Sequence, residues 1–385
     1  MSSAYTRTYY PALDGLRGIA IILVICCHNF NFIPRFEFGW IGVDLFFVLS
    51  GFLITDLLIQ ARGSRNFLQN FYLRRVLRIF PLYYAIVLLY FIFTPGLDGL
   101  QAQYAYYQAH PAMPWLHLQN WLYILHPKPN DNLLMGHFWS LSVEEQFYLI
   151  WPFVVLATKN LRWLGRISLG LLAVSIVARF GSWLYFGDGY TNFHLQYMTR
   201  VDGLCVGSLI AVWRKEDMET ARRKLLILAT IILGTHGLLL VMTRTVFPGI
   251  PNFPFLGYAS IAIMFGFAVY LAIEKRTRIS KTLLENRFIR YTGRVSYGLY
   301  VFHWPILSLA RLYLIPRFSA MGMSGDTAYM LASILALWMA IGCSIASYHF
   351  FEQRILALKD VITSEGYFAR MWKRLSLLLR PASAR

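Results

Sequence analysis

The sequence predicts an all-α, polytopic membrane protein with about ten transmembrane helices. Hydrophobic residues make up 57% of the 385 positions and charged residues only 14%, against about 25% charged residues in soluble proteins. The apolar residues are gathered into ten runs, and a membrane-spanning helix needs about 20 such residues. The runs lie at 12–33, 38–59, 76–94, 138–157, 166–187, 197–213, 225–243, 254–273, 296–315 and 327–350.

The distribution of basic residues predicts the topology. If all ten runs span the membrane and both termini are cytoplasmic, 29 of the 36 Lys and Arg residues lie on the cytoplasmic side, as the positive-inside rule requires. The net charge of +17 then reflects membrane orientation, and we expect no nucleic-acid partner. An eleventh span within 104–125 would invert every later loop, so we expect that segment to be interfacial or re-entrant. Its aromatic residues fit an interfacial belt or a surface that stacks on sugar.

Residues 1–352 are predicted to form one membrane domain, because the sequence shows no repeat, low-complexity tract or second soluble domain. Residues 353–385 are predicted to form a basic cytoplasmic tail, with an amphipathic helix from Gly366 onward that lies on the inner membrane face. The four cysteines lie in apolar runs and show no metal-ligand spacing. We therefore expect neither a disulfide framework nor a metal site.

The first run carries a cation near one end and a titratable base near the other. Arg17 and His28 are eleven residues apart, which places them within about 20° on one helix face and about 16 Å apart along the axis. Such side chains are costly inside a bilayer and usually have a function there. The alternative is an arginine that extends to the membrane surface and a histidine satisfied by a neighbour.

The second run carries Asp44 near its outer end. Antiparallel geometry puts Asp44 and His28 at similar depths, about 8–9 Å from the outer surface, so the carboxylate is predicted to orient the imidazole. Alternatively, Asp44 pairs with an arginine elsewhere. Ser50 lies in a continuous apolar stretch rather than in a nucleophile elbow, and we expect Ser50 and Gly51 to allow close helix contact.

Three arginines lie around the start of the third run. Arg75 and Arg78 are three residues apart, and Arg74 and Arg78 are four apart, so either pair can converge on one anionic group. Guanidinium groups bind phosphate bidentately. The cluster therefore suits a phosphorylated ligand in the cytoplasm, with ordinary contact to anionic lipid as the alternative.

The fourth run opens with a concentration of polar residues that includes the adjacent acids Glu144 and Glu145. Their side chains point about 100° apart, so only one of them can face a given partner. Glu144 shares a helix face with Tyr148. There are more polar side chains here than a helix cap needs, and we predict that the segment forms the wall of a cavity.

Later runs add further polar groups. Arg200 and Asp202 lie near the outer end of the sixth run, followed by Gly203 and Gly207, whose spacing favours close helix packing. His303 is predicted to lie near the middle of the membrane, in the ninth run.

Five motifs occur together and in order along the chain. They are Leu13-Asp-Gly-Leu-Arg-Gly-Ile-Ala with His28 downstream, Gly42-Val-Asp-Leu-Phe-Phe-Val-Leu-Ser-Gly-Phe-Leu-Ile, Arg74-Arg-Val-Leu-Arg-Ile-Phe-Pro, Trp139-Ser-Leu-Ser-Val-Glu-Glu-Gln-Phe-Tyr and Ser296-Tyr-Gly-Leu-Tyr-Val-Phe-His. Each motif is weak alone, but together they make the chain, over about residues 10–352, resemble the acyltransferase-3 family of integral membrane O-acyltransferases. It resembles the standalone form, without the SGNH-hydrolase domain that some members carry.

The resemblance implies an activity and its site residues. Members take an acyl group, often acetyl, from cytoplasmic acyl-CoA and deliver it to a hydroxyl of an extracytoplasmic carbohydrate or glycan, which implies a place in the bacterial cell (inner) membrane. It also implies that His28 matches the essential histidine, Arg17 the arginine below it, Arg75 and Arg78 the R-x-x-R pair, and Glu144 the family's acid.

Combined with the spacing above, this gives a hypothesis for the reaction. Arg75 and Arg78 hold the CoA phosphates, and the pantetheine arm passes Arg17. His28 acts as general base on the acceptor hydroxyl. Asp44 or Glu144 orients the imidazole. A covalent acyl-histidine is the alternative.

Two other functions fit part of the pattern. A proton-coupled transporter would also use an intramembrane histidine and acids, but it leaves the arginine cluster without a role. A haem or quinone redox protein would use His28, His303 and His349. Their predicted depths are outer, central and inner, so no pair is expected to be level enough to ligate one haem.

Overall fold

The computed structural model describes residues 9–64, 66–126, 128, 133–190, 200–243, 256–274 and 280–362, and these form helices and connecting turns with no strand among them. We number the helices in chain order: α1 (Pro11–Asn29), α2 (Gly42–Ala61), α3 (Phe67–Phe93), α4 (Gln101–Ala109), α5 (Ala112–Trp115), α6 (Gln119–Leu125), α7 (Trp139–Ala157), α8 (Leu161–Tyr190), α9 (Asp202–Trp213), α10 (Met218–Thr243), α11 (Tyr258–Glu274), α12 (Arg287–Ala320), α13 (Gly325–Ala346) and α14 (Gln353–Ile362).

The multi-pass membrane fold is confirmed. Within the described ranges, seven helices are long and apolar enough to cross a bilayer. The other three predicted runs fall on α7, α9 and α11, which have 19, 12 and 17 residues. The count of ten spans and the cytoplasmic position of the termini stay predictions.

The segment 104–125 is not a single spanning helix. It falls on α4, α5 and α6, which have nine, four and seven residues, too few at 1.5 Å per residue to cross a core of about 30 Å. The segment is bound to its neighbours instead: Tyr83 of α3 donates a hydrogen bond to the carbonyl oxygen of Pro114 at 2.7 Å, and Ser142 of α7 donates to Gln119 at 2.6 Å.

Helix α9 lies at the centre of the bundle. All twelve of its residues are buried, and a helix that is apolar all round belongs in an interior. It packs on α2, α8 and α11. A Cβ atom on Gly207 would lie 2.1 Å from the carbonyl oxygen of Val48, and one on Gly51 would lie 2.1 Å from that of Leu204. The predicted close contact through small residues is therefore present between α2 and α9.

A second close contact joins α1 to α12. A Cβ atom on Gly18 would lie 2.2 Å from the carbonyl oxygen of Ile289, and one on Gly293 would lie 1.8 Å from that of Asp14. The two helices run in the same direction, and ten residues further along each of them are His28 and His303. Because both helices rise 1.5 Å per residue, equal spacing from the glycine contact brings the two histidines to one level.

The tail is described over α14 alone. The predicted amphipathic helix from Gly366 onward lies outside the described residues.

Gly293→Ala is expected to destabilise the protein by about 1–3 kcal/mol, the usual effect of overpacking, because the added methyl group meets backbone rather than a movable side chain. The measurement is the melting temperature of the detergent-purified protein. Gly234→Ala is the matched control, since nothing lies within 4 Å of a Cβ atom there and alanine is the better helix former. Equal melting temperatures for the two variants would contradict this account of the α1–α12 contact.

Candidate active site

A cavity of about 680 Å³ lies between α1, α2, α3, α7 and α12. We call it the central cavity. Its charged residues are three arginines and one acid: Arg17, Arg75, Arg78 and Glu144. Its other lining residues are Val43, Phe46, Phe47, Ser50, Ile79, Ser140, Leu141, Tyr148, Ser296, Tyr297 and Tyr300. Net positive charge and several hydroxyl groups suit this space to an anionic, polar ligand.

Helix α7 forms one wall of the central cavity. Ser140, Glu144 and Tyr148 are spaced four residues apart and so lie on one face, as predicted for Glu144 and Tyr148. The Ser50 hydroxyl donates a hydrogen bond of 2.6 Å to Oε1 of Glu144, so Ser50 holds the acid in addition to allowing close helix packing. Glu145 points elsewhere and lines a separate pocket with residues of α3 and α5.

Helix α3 supplies two of the three arginines. Arg75 and Arg78 both line the central cavity, and the Arg75 guanidinium lies 5.1 Å from the centre of the Tyr148 ring, a cation–π contact. Arg74 is not among the lining residues of the central cavity, so its convergence with Arg78 on one ligand stays a prediction.

A second polar pocket of about 940 Å³ adjoins the central cavity. We call it the vestibule. Arg17, Arg78 and Tyr297 line both spaces. The vestibule adds the charged residues Asp14, Arg294 and Glu352, and Asp14 lies 3.5 Å from Arg17. The shared arginines therefore lie at the junction between the two pockets.

Three histidine rings meet at the other end of this region. Nδ1 of His28 lies 2.9 Å from Nε2 of His303, and the His137 ring lies 5.2 Å from the His303 ring, edge to face. His303 and His137 are buried, whereas His28 is partly exposed. The Trp304 ring lies edge-on to His28 at 4.6 Å. In the described part of the chain, no group of three or more His, Cys, Asp or Glu side chains is arranged to hold a metal ion.

The hydrogen bonds assign the proton positions of the histidine pair. Nδ1 of His303 lies 2.7 Å from the carbonyl oxygen of Tyr300 and 3.0 Å from that of Leu299. Carbonyl oxygens only accept, so Nδ1 of neutral His303 carries the hydrogen and Nε2 carries the lone pair. His28 must then donate from Nδ1, which leaves the lone pair of neutral His28 on Nε2. This is the nitrogen that could accept a proton from a substrate.

The central cavity and the histidines are joined through side chains rather than through open space. Ser140 and Tyr300 line the cavity and are hydrogen bonded at 2.5 Å. The Tyr300 hydroxyl also donates to the backbone carbonyl of His137 at 2.8 Å. The hydrogen-bonded hydroxyl groups of Ser140 and Tyr300 therefore lie between the central cavity and the histidines.

Comparison with known proteins agrees with this chemistry. A family model described as an acyltransferase domain matches residues 10–349. The chain belongs to the acyltransferase-3 family. Peptidoglycan O-acetyltransferase OatA of Listeria monocytogenes is 32% identical over 335 residues, covering 80% of this chain and 51% of the relative. O-acetyltransferase OatA of Staphylococcus aureus (strain NCTC 8325) is 29% identical, covering 96% of this chain and 62% of the relative.

This acyltransferase chain spans about half to three fifths of the length of these relatives. No solved structure matches it.

The structure corrects the predicted partner of His28 in this family member. Asp44 accepts hydrogen bonds from the Arg200 guanidinium, at 3.2 Å from Nε and from a second nitrogen, and His303 takes the place by His28 that Asp44 was expected to have. Burial explains the pairing, since an interior carboxylate requires a cation. Glu144, the other proposed orienting acid, lies in the central cavity with the arginines and accepts a hydrogen bond from Ser50.

Arg200 belongs to a buried cluster of charges around α9. Its guanidinium lies 4.3 Å from the centre of the Tyr258 ring. Arg179 of α8 forms a second buried pair with Asp202, with both hydrogen bonds at 2.8 Å. The cluster ties α2, α8 and α11 to the start of α9.

The predicted depths of the histidines are also corrected. His28 and His303 were expected at the outer surface and the middle of the membrane, yet they are level. Helix α12 begins at Arg287 instead of near 296 and continues to Ala320, so its middle lies beside the end of α1. The depth argument against a shared haem was therefore wrong for this pair. In the structure, the two rings are hydrogen bonded directly to each other.

Sequence reasoning did not assign His137, Tyr300 or His303 to the site. For His303, the available signal was the equal spacing of ten residues from Gly18 to His28 and from Gly293 to His303.

The segment 104–125 packs aromatic residues on α3. The Trp115 ring stacks on Tyr84 at 5.7 Å, and His117 stacks on Tyr83 at 4.0 Å. Burial lowers the pKa of His117 to about 4, so this ring is neutral at pH 7.

Asp44→Ala is expected to lower the melting temperature strongly, because breaking a buried ion pair from one side costs about 3–5 kcal/mol. The double variant Asp44→Leu with Arg200→Met is expected to recover much of the loss, since no buried charge is then left unpaired. Melting temperature and, for the folded variants, acyl transfer are the measurements. If the double variant melts no higher than Asp44→Ala, the ion pair does not account for the role of Asp44.

Proposed function

We propose that this membrane protein is an O-acetyltransferase that moves an acetyl group from acetyl-CoA to a hydroxyl of an extracytoplasmic glycan. Both relatives are named as O-acetyltransferases, and one is named for peptidoglycan. Peptidoglycan or another cell-surface carbohydrate is therefore the proposed acceptor. The observation that carries the proposal is the arrangement of three arginines in one cavity and a hydrogen-bonded histidine pair at its far end.

The arginines support an acyl-CoA donor. Arg17, Arg75 and Arg78 face the central cavity, and Arg17 and Arg78 also face the vestibule. Guanidinium groups recognise phosphate oxygens through paired hydrogen bonds, and CoA carries its phosphates at the end opposite its thiol. We assign the phosphates to the vestibule side and the thioester to the end near Tyr300. By the basic-residue distribution, the vestibule faces the cytoplasm.

The histidine pair supports acid–base chemistry. In the proposed reaction, the acceptor oxygen attacks the thioester carbonyl while Nε2 of His28 takes the hydroxyl proton. The new carbon–oxygen bond forms, the carbon–sulfur bond breaks, and the proton passes from His28 to the departing thiolate. A covalent acetyl-histidine would use the same nitrogen and is the alternative route.

His303 has a positioning role in this proposal. Its Nδ1–H is held by two backbone carbonyls of α12, so its Nε2 accepts from His28 and directs the reactive lone pair of His28 towards substrate. The hydroxyl pair of Ser140 and Tyr300 lies between the central cavity and the histidines, and it must part for the thioester to reach them.

His28→Ala is expected to reduce acetyl transfer by about 10²-fold or more, the usual contribution of a general base. The assay incubates membranes with radiolabelled acetyl-CoA and glycan fractions of the host. Near-full transfer by a folded His28→Ala protein would remove the proposed role. Substrate flux across the membrane without acetyl transfer would favour a proton-coupled transporter instead.

His303→Leu is expected to reduce kcat about tenfold or more, because a buried hydrogen bond to His28 is lost. His303→Gln, which keeps an acceptor, is expected to recover part of the rate. The pH profile of kcat separates this role from a structural one, since the protonation of His28 should move in the leucine variant while the melting temperature reports folding. An unchanged profile in both variants would contradict the positioning role.

Arg75→Gln is expected to raise the KM for acetyl-CoA about tenfold or more, since hydrogen bonds to charged groups contribute about 1.5–3 kcal/mol. Arg74→Gln is the neighbouring comparison: it removes the same charge from a residue outside the central cavity lining, and the KM is expected to stay near the wild-type value. Equal effects of the two substitutions would indicate general surface charge rather than a phosphate site.

A further inference from the structure

A groove lies away from the acyltransferase site, between α8 and α10 with the end of α9 as its floor. We call it the α8–α10 groove. Its volume, including the space open to the surroundings, is about 910 Å³. Both of its walls begin with basic residues and continue with apolar ones. On the α8 side these are Arg162, Arg166 and Leu169, and on the α10 side Lys224, Ile227 and Ile231.

The spacing on each wall aligns these residues. Positions 162, 166 and 169 follow the i, i+4, i+7 pattern of one helix face, and positions 224, 227 and 231 follow the i, i+3, i+7 pattern. Each wall therefore presents a positive charge at one end and an apolar surface along the rest. That profile complements an amphiphile with an anionic head and hydrocarbon chains.

The charges of the groove retain a positive excess. Lys224 is paired with Glu216 at 2.8 Å, while Arg162 and Arg166 have no acid partner among the ion pairs of the described residues. The Arg166 guanidinium lies 4.7 Å from the centre of the Trp163 ring, which orients it without neutralising it. A single phosphodiester group fits between two such guanidinium groups.

The apolar part of the groove is exposed where lipid would lie. Ile227 is 54% exposed and Ile231 is 59% exposed. Beyond the groove, the same face of α10 remains apolar and exposed at Leu238, seven residues after Ile231. Acyl chains of a bound lipid could therefore continue along α10 into the bilayer.

The length of the groove favours a lipid over a transmembrane helix. From Arg162 to Leu169, and from Lys224 to Ile231, each wall rises about 10 Å. A partner helix that crosses the membrane would need an apolar contact surface along about 30 Å. A lipid head group and the first part of its two acyl chains need a much shorter contact surface.

From these observations, we propose that the α8–α10 groove binds one anionic phospholipid, with its phosphodiester between Arg162 and Arg166 and its acyl chains between Leu169 and Ile231. The site is separate from the central cavity, and its occupancy does not depend on the proposed acetyl transfer.

The test uses the full chain, purified in detergent and supplied with phosphatidylglycerol or phosphatidylcholine. Native mass spectrometry counts retained lipid, and the melting temperature reports stabilisation. Wild type is expected to retain one phosphatidylglycerol in preference to phosphatidylcholine. Arg162→Gln with Arg166→Gln is expected to weaken its binding about thirtyfold, from ~1 kcal/mol for each basic residue near an anionic lipid.

Two further variants make the test specific. Arg222→Gln with Arg223→Gln removes the same charge from exposed residues of α10 outside the groove lining, and it is expected to leave lipid retention unchanged. Gly165→Leu keeps every charge but adds a side chain to the α8 wall beside the groove floor, where a Cβ atom would lie 3.5 Å from Val212. It is expected to reduce phosphatidylglycerol retention while the melting temperature without lipid stays near that of wild type.

Three results would overturn the proposal. Equal loss of phosphatidylglycerol retention in the two double variants would mean that general charge attraction, rather than the groove, holds the lipid. Full retention by a folded Gly165→Leu protein would place the lipid elsewhere. A change of oligomeric state in Gly165→Leu, without any preference for phosphatidylglycerol in wild type, would make the groove a contact between two copies of the chain.

Discussion

The backbone contact between α1 and α12 is the constraint on which the proposed site depends. Gly18 and Gly293 allow the two helices to approach so closely that even one methyl group at either position would meet a carbonyl oxygen. Packing this tight allows little sliding of one helix along the other. The level at which His28 meets His303, ten residues away, is therefore set by the glycines. A hydrogen bond of 2.9 Å between two imidazoles needs that accuracy, because a shift by one residue would move one ring about 1.5 Å along its helix axis.

The rest of the bundle holds the opposite wall of the central cavity. Helix α2 carries Ser50, which holds Glu144, and α2 is fixed on α9 by the glycine contacts and by the Asp44–Arg200 pair. Burying two ion pairs is expensive, and it is tolerated where each charge is matched and hydrogen bonded. Asp44 thus contributes to the site through the position of its helix rather than by touching the imidazole. Among the described residues, no hydrogen bond joins Asp44 to His28, whose side-chain partner is His303.

The parts of this arrangement that follow from spacing within one helix were predictable from the sequence. Rotation by 100° per residue separates Glu144 from Glu145 and places Ser140, Glu144 and Tyr148 on one wall. Apolar length was sufficient to predict the membrane fold. Contacts between helices were harder to predict, because the depth of a residue in the membrane, counted from the end of its apolar run, carries an error of several residues. The start of α12 at Arg287 instead of 296 was enough to misplace His303. The partner of Asp44 is 156 residues away in the chain, and no local pattern connects the two.

The position of Tyr300 links the two halves of the proposed reaction. It lies three residues before His303 on α12, so the two side chains share one helix face. Its hydroxyl is hydrogen bonded to Ser140 at the lining of the central cavity, and its backbone carbonyl accepts a hydrogen bond from Nδ1–H of His303. In the proposed reaction, this hydroxyl pair would separate the thioester from water on the acceptor side until the pair parts, which would limit hydrolysis of the donor. Opening by a change of the Tyr300 rotamer would free the passage and leave its carbonyl in place, so the base would keep its tautomer while the donor advances. Opening by movement of the whole helix would instead disturb the glycine contact with α1. The geometry therefore favours a side-chain gate over a helix movement.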